Sequence, residues 1–186
     1  DWDWKLLSQN RKFSDEWLKE LPDKDWDWKL LSQNSRFSNE WLKEFPDKGW
    51  DFNYLTKHQK FDITWLRVSI DSNWDWEHLS SNTKLDIDWL QEFPNKGWNW
   101  STVSKNSKLN ILWLEELPDK DWDWKYLSNH QSFNIEWLEI LPNKAWDYRI
   151  LSSKETFNIS WVRDFPDKPW DFTEISKNNN LKIEWI

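Results

Sequence analysis

The chain has 186 residues, a net charge of −8 and no cysteine, so we expect neither a disulfide framework nor a Cys-based zinc site. Its hydrophobic content of 38% is enough for folding, and no apolar run is long enough to span a bilayer, so we expect no membrane association. The negative charge disfavours a partner with a phosphate surface but does not exclude one.

The 21 tryptophans of the chain follow a 24-residue repeat that has no insertion or deletion. The stretch DWDWKLLSQN begins at Asp1 and again at Asp25, and all 21 tryptophans fall at positions 2, 4 and 17 of the repeat. The pattern predicts one repeat array over residues 1–186. Its eight repeats cover residues 1–24, 25–48, 49–72, 73–96, 97–120, 121–144, 145–168 and 169–186, the last being incomplete.

Each repeat begins with a predicted helix at positions 4–9. Position 3 is Asp in seven repeats and Asn99 in one, and both residue types cap a helix by accepting an amide hydrogen bond. The Trp before it and the apolar residue at position 7 form a hydrophobic staple, as in Trp2 and Leu7. Position 6 varies in polarity and is expected to face solvent. Position 10 is mostly Asn, which would end the helix in a left-handed conformation.

A second helix is predicted at positions 15–21, because position 14 is Ser, Asp or Asn in every repeat except at Lys182. Proline at position 22 would end this helix. Helices of about two turns are too short to be stable alone, so the apolar positions must pack between repeats. We therefore predict an all-α fold, an α-solenoid of helical hairpins. Its expected core tryptophans are Trp2, Trp17, Trp26, Trp41, Trp50, Trp65, Trp74, Trp89, Trp98, Trp113, Trp122, Trp137, Trp146, Trp161, Trp170 and Trp185.

The alternative fold is a leucine-rich repeat, whose units also run 20–29 residues and whose LxxNxL motif resembles LSQNRKF. A strand there would need alternating apolar positions. The alternation fails at position 6, and the spacing from Asn to the next apolar residue is one residue too long. The helical hairpin is therefore favoured.

The elements WDWxxLSxN, WL and LPDKDW resemble Trp-rich short tandem repeats encoded by large DNA viruses of protists. The resemblance covers the whole chain. It implies an α-solenoid and a viral, intracellular or virion-associated context, and it implies no chemical activity. The third repeat departs from the pattern because Ser69 and Ile70 replace the apolar–Pro pair and Ser72 replaces Lys. The turn between repeats three and four is therefore expected to be irregular.

Signatures of enzymes are absent from the sequence, so we expect no enzyme activity, no catalytic residues and no cofactor. His58 and His130 share position 10 with Asn and are expected to serve the end of a helix, while His78 lies at the variable position 6. The three histidines lie in different repeats without a shared carboxylate pattern, so we expect no metal site. The recurring Asp23 and Lys24 are interpreted as a solvated turn with weak ion pairs.

The predicted function is a non-enzymatic repeat scaffold with a structural or protein-interaction role. Positions 5, 6, 9, 11 and 12 vary while the rest of the repeat stays fixed, which is typical of a face that binds a partner. The alternatives are nucleic-acid binding by helical repeats, or by stacking on the tryptophans, and end-to-end assembly, since both ends of the array would expose apolar surface. The candidate interaction surface comprises Lys12, Arg36, Tyr54, Lys60, His78, Lys84, Lys108 and Tyr126.

Overall fold

The computed structural model describes residues 1–58, 60–179 and 181. Over these residues every regular element is a helix, so the all-α, solenoid-like fold is confirmed and the leucine-rich alternative is wrong. The helices are α1 (Trp4–Ser8), α2 (Asp15–Glu20), α3 (Trp28–Ser32), α4 (Asn39–Glu44), α5 (Phe52–Thr56), α6 (Ile63–Val68), α7 (Trp76–Ser80), α8 (Ile87–Glu92), α9 (Trp100–Val103), α10 (Ile111–Glu116), α11 (Trp124–Asn129), α12 (Glu136–Ile140), α13 (Tyr148–Ser153), α14 (Ser160–Asp164) and α15 (Phe172–Lys177).

The chain divides into two compact parts, Asp1–Leu79 and Ser80–Ile186. Within the first part α1 contacts α3, α3 contacts α5, and α4 contacts α6. Within the second part α11 contacts α13, and α13 contacts α15. Each of these helices therefore packs on its equivalent in the next repeat, which is how a solenoid buries helices that are too short to be stable alone. The assignment of residues 1–186 to a single array stays a prediction.

The first helix of every repeat is capped as the sequence predicts. The side chain at position 3 accepts a hydrogen bond from the backbone N–H at position 6 in all eight repeats, at 2.9–3.0 Å. Asn99 accepts the equivalent bond from Thr102 at 2.9 Å, within the range of the aspartates. Position 10 ends the first helix in repeats six to eight, as predicted. It does not adopt a left-handed conformation, because no described residue has a positive φ. Position 10 also has a second role, described below.

The second helix ends at position 20 in repeats one to seven, one residue earlier than predicted. Position 21 has left the helical region, with φ between −124° and −141° and ψ between 51° and 62°. The position-14 side chain caps α2, α6, α8 and α10, but Ser38 makes no such bond. Helices α12 and α14 begin one residue later than predicted. The predicted second helix of repeat eight, with Lys182, lies outside the described residues.

The turn after repeat three keeps the regular geometry, so the expected irregularity is wrong. Ser69 has φ −141° and ψ 51°, close to the −124° and 54° of Phe93, which precedes a proline. The indole of Trp74 donates to the carbonyl of Ser69 at 2.8 Å, as Trp98 does to Phe93 at 2.9 Å. The Trp at position 2 therefore holds this turn even where proline is replaced by Ile70.

Among the described residues, the core consists of the apolar residues at positions 7, 13 and 18 of most repeats together with most of the tryptophans at positions 2 and 17. The Leu at position 18 is fully buried in repeats one to six, at 0% exposure. The buried tryptophans are Trp26, Trp41, Trp50, Trp65, Trp74, Trp89, Trp98, Trp113, Trp122, Trp137, Trp146, Trp161 and Trp170.

The three remaining tryptophans of the expected core differ from this set. Trp2 is 74% exposed, so its assignment to the core is wrong. The physical reason is that the ring at position 2 is buried by the preceding repeat, and no described residue covers Trp2 in that way. Trp17 is half-buried for the same reason. Trp185 lies outside the described residues.

Candidate interaction surface

A hydroxyl at position 8 joins each repeat to the next, a role that the local sequence rules do not predict. The Ser104 hydroxyl donates to the carbonyl of Trp100 at 2.7 Å and accepts the backbone N–H of Asp123 at 2.9 Å. The N–H at position 3 reaches the equivalent oxygen at all seven junctions, at 2.8–3.2 Å. The sequence does indicate that position 8 has a fixed role, because it is Ser in seven repeats and Thr56 in repeat three.

Aromatic rings form the second part of each described junction. The ring at position 4 meets the Trp at position 2 of the next repeat edge to face, with Trp4 and Trp26 at 4.9 Å and Trp124 and Trp146 at 4.9 Å between centroids. Such pairs are favoured by the ring quadrupoles, at about 0.5–1.5 kcal/mol beyond area burial. The rings are therefore used to join repeats, which leaves less of their surface for a stacked sugar or base.

Position 10 bridges repeats in addition to its place at the end of the first helix. The Asn34 side-chain amide donates to the carbonyls of Ser8 and Asn10 at 2.9 and 3.2 Å, and its oxygen accepts the N–H of Arg36 at 3.0 Å. Lys154 and Asn178, also at position 10, likewise donate to backbone carbonyls of the preceding repeat, at 3.1 and 3.0 Å.

His130 makes the same bridge in repeat six. Its Nε2 lies 3.3 Å from the carbonyl of Asn106, and its Nδ1 accepts the N–H of Ser132 at 3.2 Å. Burial lowers the pKa of His130 below its ordinary value, the bond to Asn106 opposes that shift, and nearby Lys154 adds to it. This arrangement needs the neutral ring, since a protonated Nδ1 cannot accept a hydrogen bond.

The lysine at position 24 contacts protein groups, so its interpretation as a solvated residue with weak ion pairs is wrong in the second compact part. The Lys120 ammonium donates to the carbonyl of Pro94 at 2.8 Å and lies 5.7 Å from the ring centroid of Trp100. Lys144 repeats both contacts with Pro118 and Trp124. A cation over an aromatic face contributes about 0.5–2 kcal/mol, so these lysines stabilise the junctions.

All eight residues of the candidate interaction surface are exposed. Within the second part, Lys108 reaches the carbonyl of Lys84 at 3.4 Å and pairs with Asp86 at 3.8 Å, which brings two of the predicted residues together. Tyr126 lies under the Lys105 ammonium at 5.9 Å. In the first part Arg36 donates to the carbonyl of Arg11 at 3.3 Å.

A polar groove recurs at three junctions between repeats, and the variable positions 9 and 11 are among the residues that line it. Between repeats one and two it has about 380 Å³ and is lined by Gln9, Arg11, Leu30, Gln33 and Ser35, with Asn34 at its base. We call this the variable groove. Positions 9, 10 and 11 also line a groove of about 280 Å³ between repeats four and five, with Lys105 among its residues, and one of about 410 Å³ between repeats six and seven.

The described residues include no group of three or more His, Asp or Glu side chains placed to hold a metal ion. His58 and His130 each accept, through Nδ1, the backbone N–H of the residue two positions further on. No helix among these residues is both long and apolar enough to cross a membrane.

Comparisons with protein families, with curated proteins and with solved structures found no match for this chain.

Proposed function

We propose that the chain is a non-enzymatic repeat scaffold that binds a protein partner along the variable groove. The observation that carries the proposal is a division of labour within the repeat. Positions 2, 3, 4 and 8 are occupied by contacts within a repeat or to its neighbour, while positions 9 and 11, which line every groove, carry side chains that differ from junction to junction. Repeat proteins present such a variable face on a constant framework.

The groove is suited to a peptide because its walls carry amide and hydroxyl groups of both hydrogen-bonding kinds. Gln9, Gln33 and Ser35 can each donate and accept. A protein segment offers alternating N–H and C=O groups along its length, so it complements such walls. The viral or virion context implied by the sequence resemblance belongs to this proposal and fits a structural or adaptor role.

Nucleic-acid binding is the second candidate, favoured by the exposed Lys12, Arg36 and Lys60. A phosphate backbone requires positive charge at successive contacts. The groove between repeats six and seven places Glu155 beside Lys154, and the whole chain has a net charge of −8. A labelled oligonucleotide should therefore bind weakly and lose its binding between low and physiological salt.

The test compares proteins captured from the source cells by the native chain and by a groove variant. The variant carries Gln33→Glu, Lys105→Glu and Gln131→Glu, one change in each of three grooves. These side chains line grooves and are not part of the core, so the melting temperature should stay near that of the native chain. We expect at least one protein to be captured by the native chain and lost with the variant.

A matched control carries Lys19→Glu, Leu112→Glu and Ile140→Glu, three exposed sites on second helices. This control adds a similar negative charge away from the groove and should capture the same protein as the native chain. The proposal fails if the three proteins capture identical sets, or if capture depends on nuclease-sensitive material.

A further inference from the structure

The variable groove between repeats four and five is lined by small polar side chains and one lysine. Its volume is about 280 Å³, and its wall consists of residues 80–83, Thr102 and residues 105–107. Apart from Lys105 these residues are all Ser, Thr or Asn, so the described wall contains neither a carboxylate nor an aromatic ring. We call this part of the variable groove the hydroxyl groove.

The hydroxyl groove contains donor groups that the fold does not use. Among the described residues, nothing accepts a hydrogen bond from the side-chain amide of Asn106 or from the hydroxyls of Thr83, Thr102 and Ser107. The amide oxygen of Asn106 is used, because it accepts the backbone N–H of Lys108 at 2.9 Å. Its NH₂ group and the three hydroxyls can therefore donate to a ligand.

The other two grooves lack such an unused donor at position 10. Asn34 donates to the carbonyl of Ser8 at 2.9 Å, and Lys154 donates to the carbonyl of Ser128 at 3.1 Å. The groove between repeats six and seven also has a carboxylate, that of Glu155, in its wall. Of the three described grooves, the hydroxyl groove is therefore the best suited to a ligand that accepts hydrogen bonds.

Lys105 adds a positive charge to the hydroxyl groove. Its side chain is exposed and forms no ion pair with a described residue, and its ammonium lies 5.9 Å from the ring centroid of Tyr126. A ring attracts a cation but does not neutralise it, and the flexible stem of a lysine lets the ammonium turn toward a ligand. At the same junction the carboxylate of Asp86 pairs with Lys108 at 3.8 Å, so it is already engaged by another cation.

We propose that the hydroxyl groove binds an anionic side chain of the protein partner, either a phosphorylated Ser or Thr or a carboxylate. This rests on the proposed function, because the hydroxyl groove belongs to the same partner-binding surface. An ionised phosphate or carboxylate presents only acceptor oxygens, which suits a wall that offers an ammonium, an amide NH₂ and three hydroxyls. A nucleic acid fits less well, since its phosphates recur at every step and Glu155 lines the groove between repeats six and seven.

The ligand class is tested with inorganic phosphate and with acetate at pH 8, each against sodium chloride at the same ionic strength. In nuclear magnetic resonance spectra of the isotopically labelled native chain, we expect phosphate to shift the backbone amide signals of Thr83, Asn106 and Ser107 until they saturate. The signals of Gln131 and Thr156, in the groove between repeats six and seven, should not move. A larger effect of phosphate than of acetate would indicate a phosphorylated side chain, and equal effects would indicate a carboxylate.

Two variants separate the groups that bind the anion. Asn106→Asp replaces the NH₂ donor by an oxygen and keeps the oxygen that accepts the Lys108 N–H, so it should weaken phosphate binding about tenfold or more. Lys105→Gln leaves Asn106 intact and should weaken binding about threefold or more. The matched control is Arg163→Gln, which lowers the net charge by the same amount at a side chain of α14 that is 80% exposed. It should leave the dissociation constant within about twofold of the native value.

Shifts of equal size in both grooves, or shifts that do not saturate with either anion, would overturn the proposal. So would a labelled oligonucleotide that moves the signals of both grooves more than phosphate does, because the partner would then be a nucleic acid.

Capture from the source cells distinguishes the failure of this proposal from the failure of the proposed function. A protein that is lost with the triple groove variant but retained by Asn106→Asp and Lys105→Gln would keep the groove as a binding surface and reject its anionic ligand. Saturable phosphate binding by a chain whose triple groove variant captures the same proteins as the native chain would instead reject the protein partner and leave an anion site.

Discussion

The hydroxyl of Ser128 accepts the backbone N–H of Asp147 at 2.8 Å across the junction between repeats six and seven. The same hydroxyl donates to the carbonyl of Trp124 at 2.7 Å, and its side chain is fully buried. The N–H of Asp147 lies at the start of a helix, where no intrahelical acceptor exists. Ser128 thus satisfies an amide that the helix itself cannot, and it does so from the neighbouring repeat.

Replacing Ser128 with Ala should lower the free energy of unfolding by about 1–3 kcal/mol, because it leaves a buried N–H without an acceptor. Urea titration measures the change. Ser128→Thr should retain most of the stability, since Thr56 makes the same two bonds in repeat three. Ser153→Ala, at an exposed hydroxyl of the same type, should change the free energy by about 0.5 kcal/mol or less.

Much of the fold could be predicted from local rules, because the groups that cap a helix lie within three residues of the amide they satisfy. Asp3 and Leu6 illustrate this. The role of Ser8 could not be derived in the same way, since its partner Asp27 is 19 residues away and belongs to the next repeat. The prediction that Trp2 is buried was wrong for a related reason. A repeat pattern shows that a position is buried in most repeats, but it does not show which neighbouring repeat buries it.

For the candidate interaction surface, the exposure of single residues could be predicted from the sequence, but their arrangement in grooves could not. Variation at position 6 indicated exposure, and Tyr54 and Tyr126 are exposed. That Gln9 and Gln33 line one groove depends on the stacking of two repeats, which periodicity does not describe. Position 10 was predicted to end a helix because Asn suits that place. The hydrogen bond from the Asn34 side chain to the carbonyl of Ser8 joins two repeats, so local rules do not predict it.

Trp113 and Trp2 should differ sharply in what they contribute to stability. Trp113 is 2% exposed, so Trp113→Ala should cost about 3–5 kcal/mol through lost burial and a cavity. Trp2→Ala removes a ring that is 74% exposed and should cost about 1 kcal/mol or less at concentrations where the chain is monomeric. Denaturant titration of the two variants checks the contrast, and equal losses would show that Trp2 is covered in solution.

Repeat three offers a way to stabilise the chain. The Ser69 hydroxyl is buried without a hydrogen-bond partner, and its backbone already has the conformation of residues that precede proline elsewhere. Ser69→Phe with Ile70→Pro restores the pair found as Phe45 and Pro46, and it should raise the free energy of unfolding by about 1–2 kcal/mol.

Thermal and urea unfolding measure that gain, with Ser69→Phe alone separating the ring from the proline. Hydrogen exchange in the native chain should open first near Val68–Asn73, where apolar surface and the proline are missing, and the double variant should slow it. Lower stability in the double variant would instead show that Ser69 and Ile70 serve a packing arrangement specific to this repeat.

The stability of the folded chain should decrease at acidic pH because of His130. The pKa of His130 is lowered in the folded chain, so below its ordinary value of about 6.5 the unfolded chain binds more protons than the folded one. Stability must then fall as the pH drops below that value, while above it the contribution of the neutral ring is fully present. The charged group that faces the ring is Lys154, which also disfavours the protonated form.

His130→Asn is the matched control, because Asn34 makes the equivalent bridge in repeat two without a titratable group. We expect the two proteins to have similar free energies of unfolding at pH 8, and the variant to be the more stable at pH 5. Taking the difference between the two proteins removes the titration of His58 and of the carboxylates, which both contain. A difference that does not change between pH 8 and pH 5 would mean that the protonated ring is accommodated at this junction.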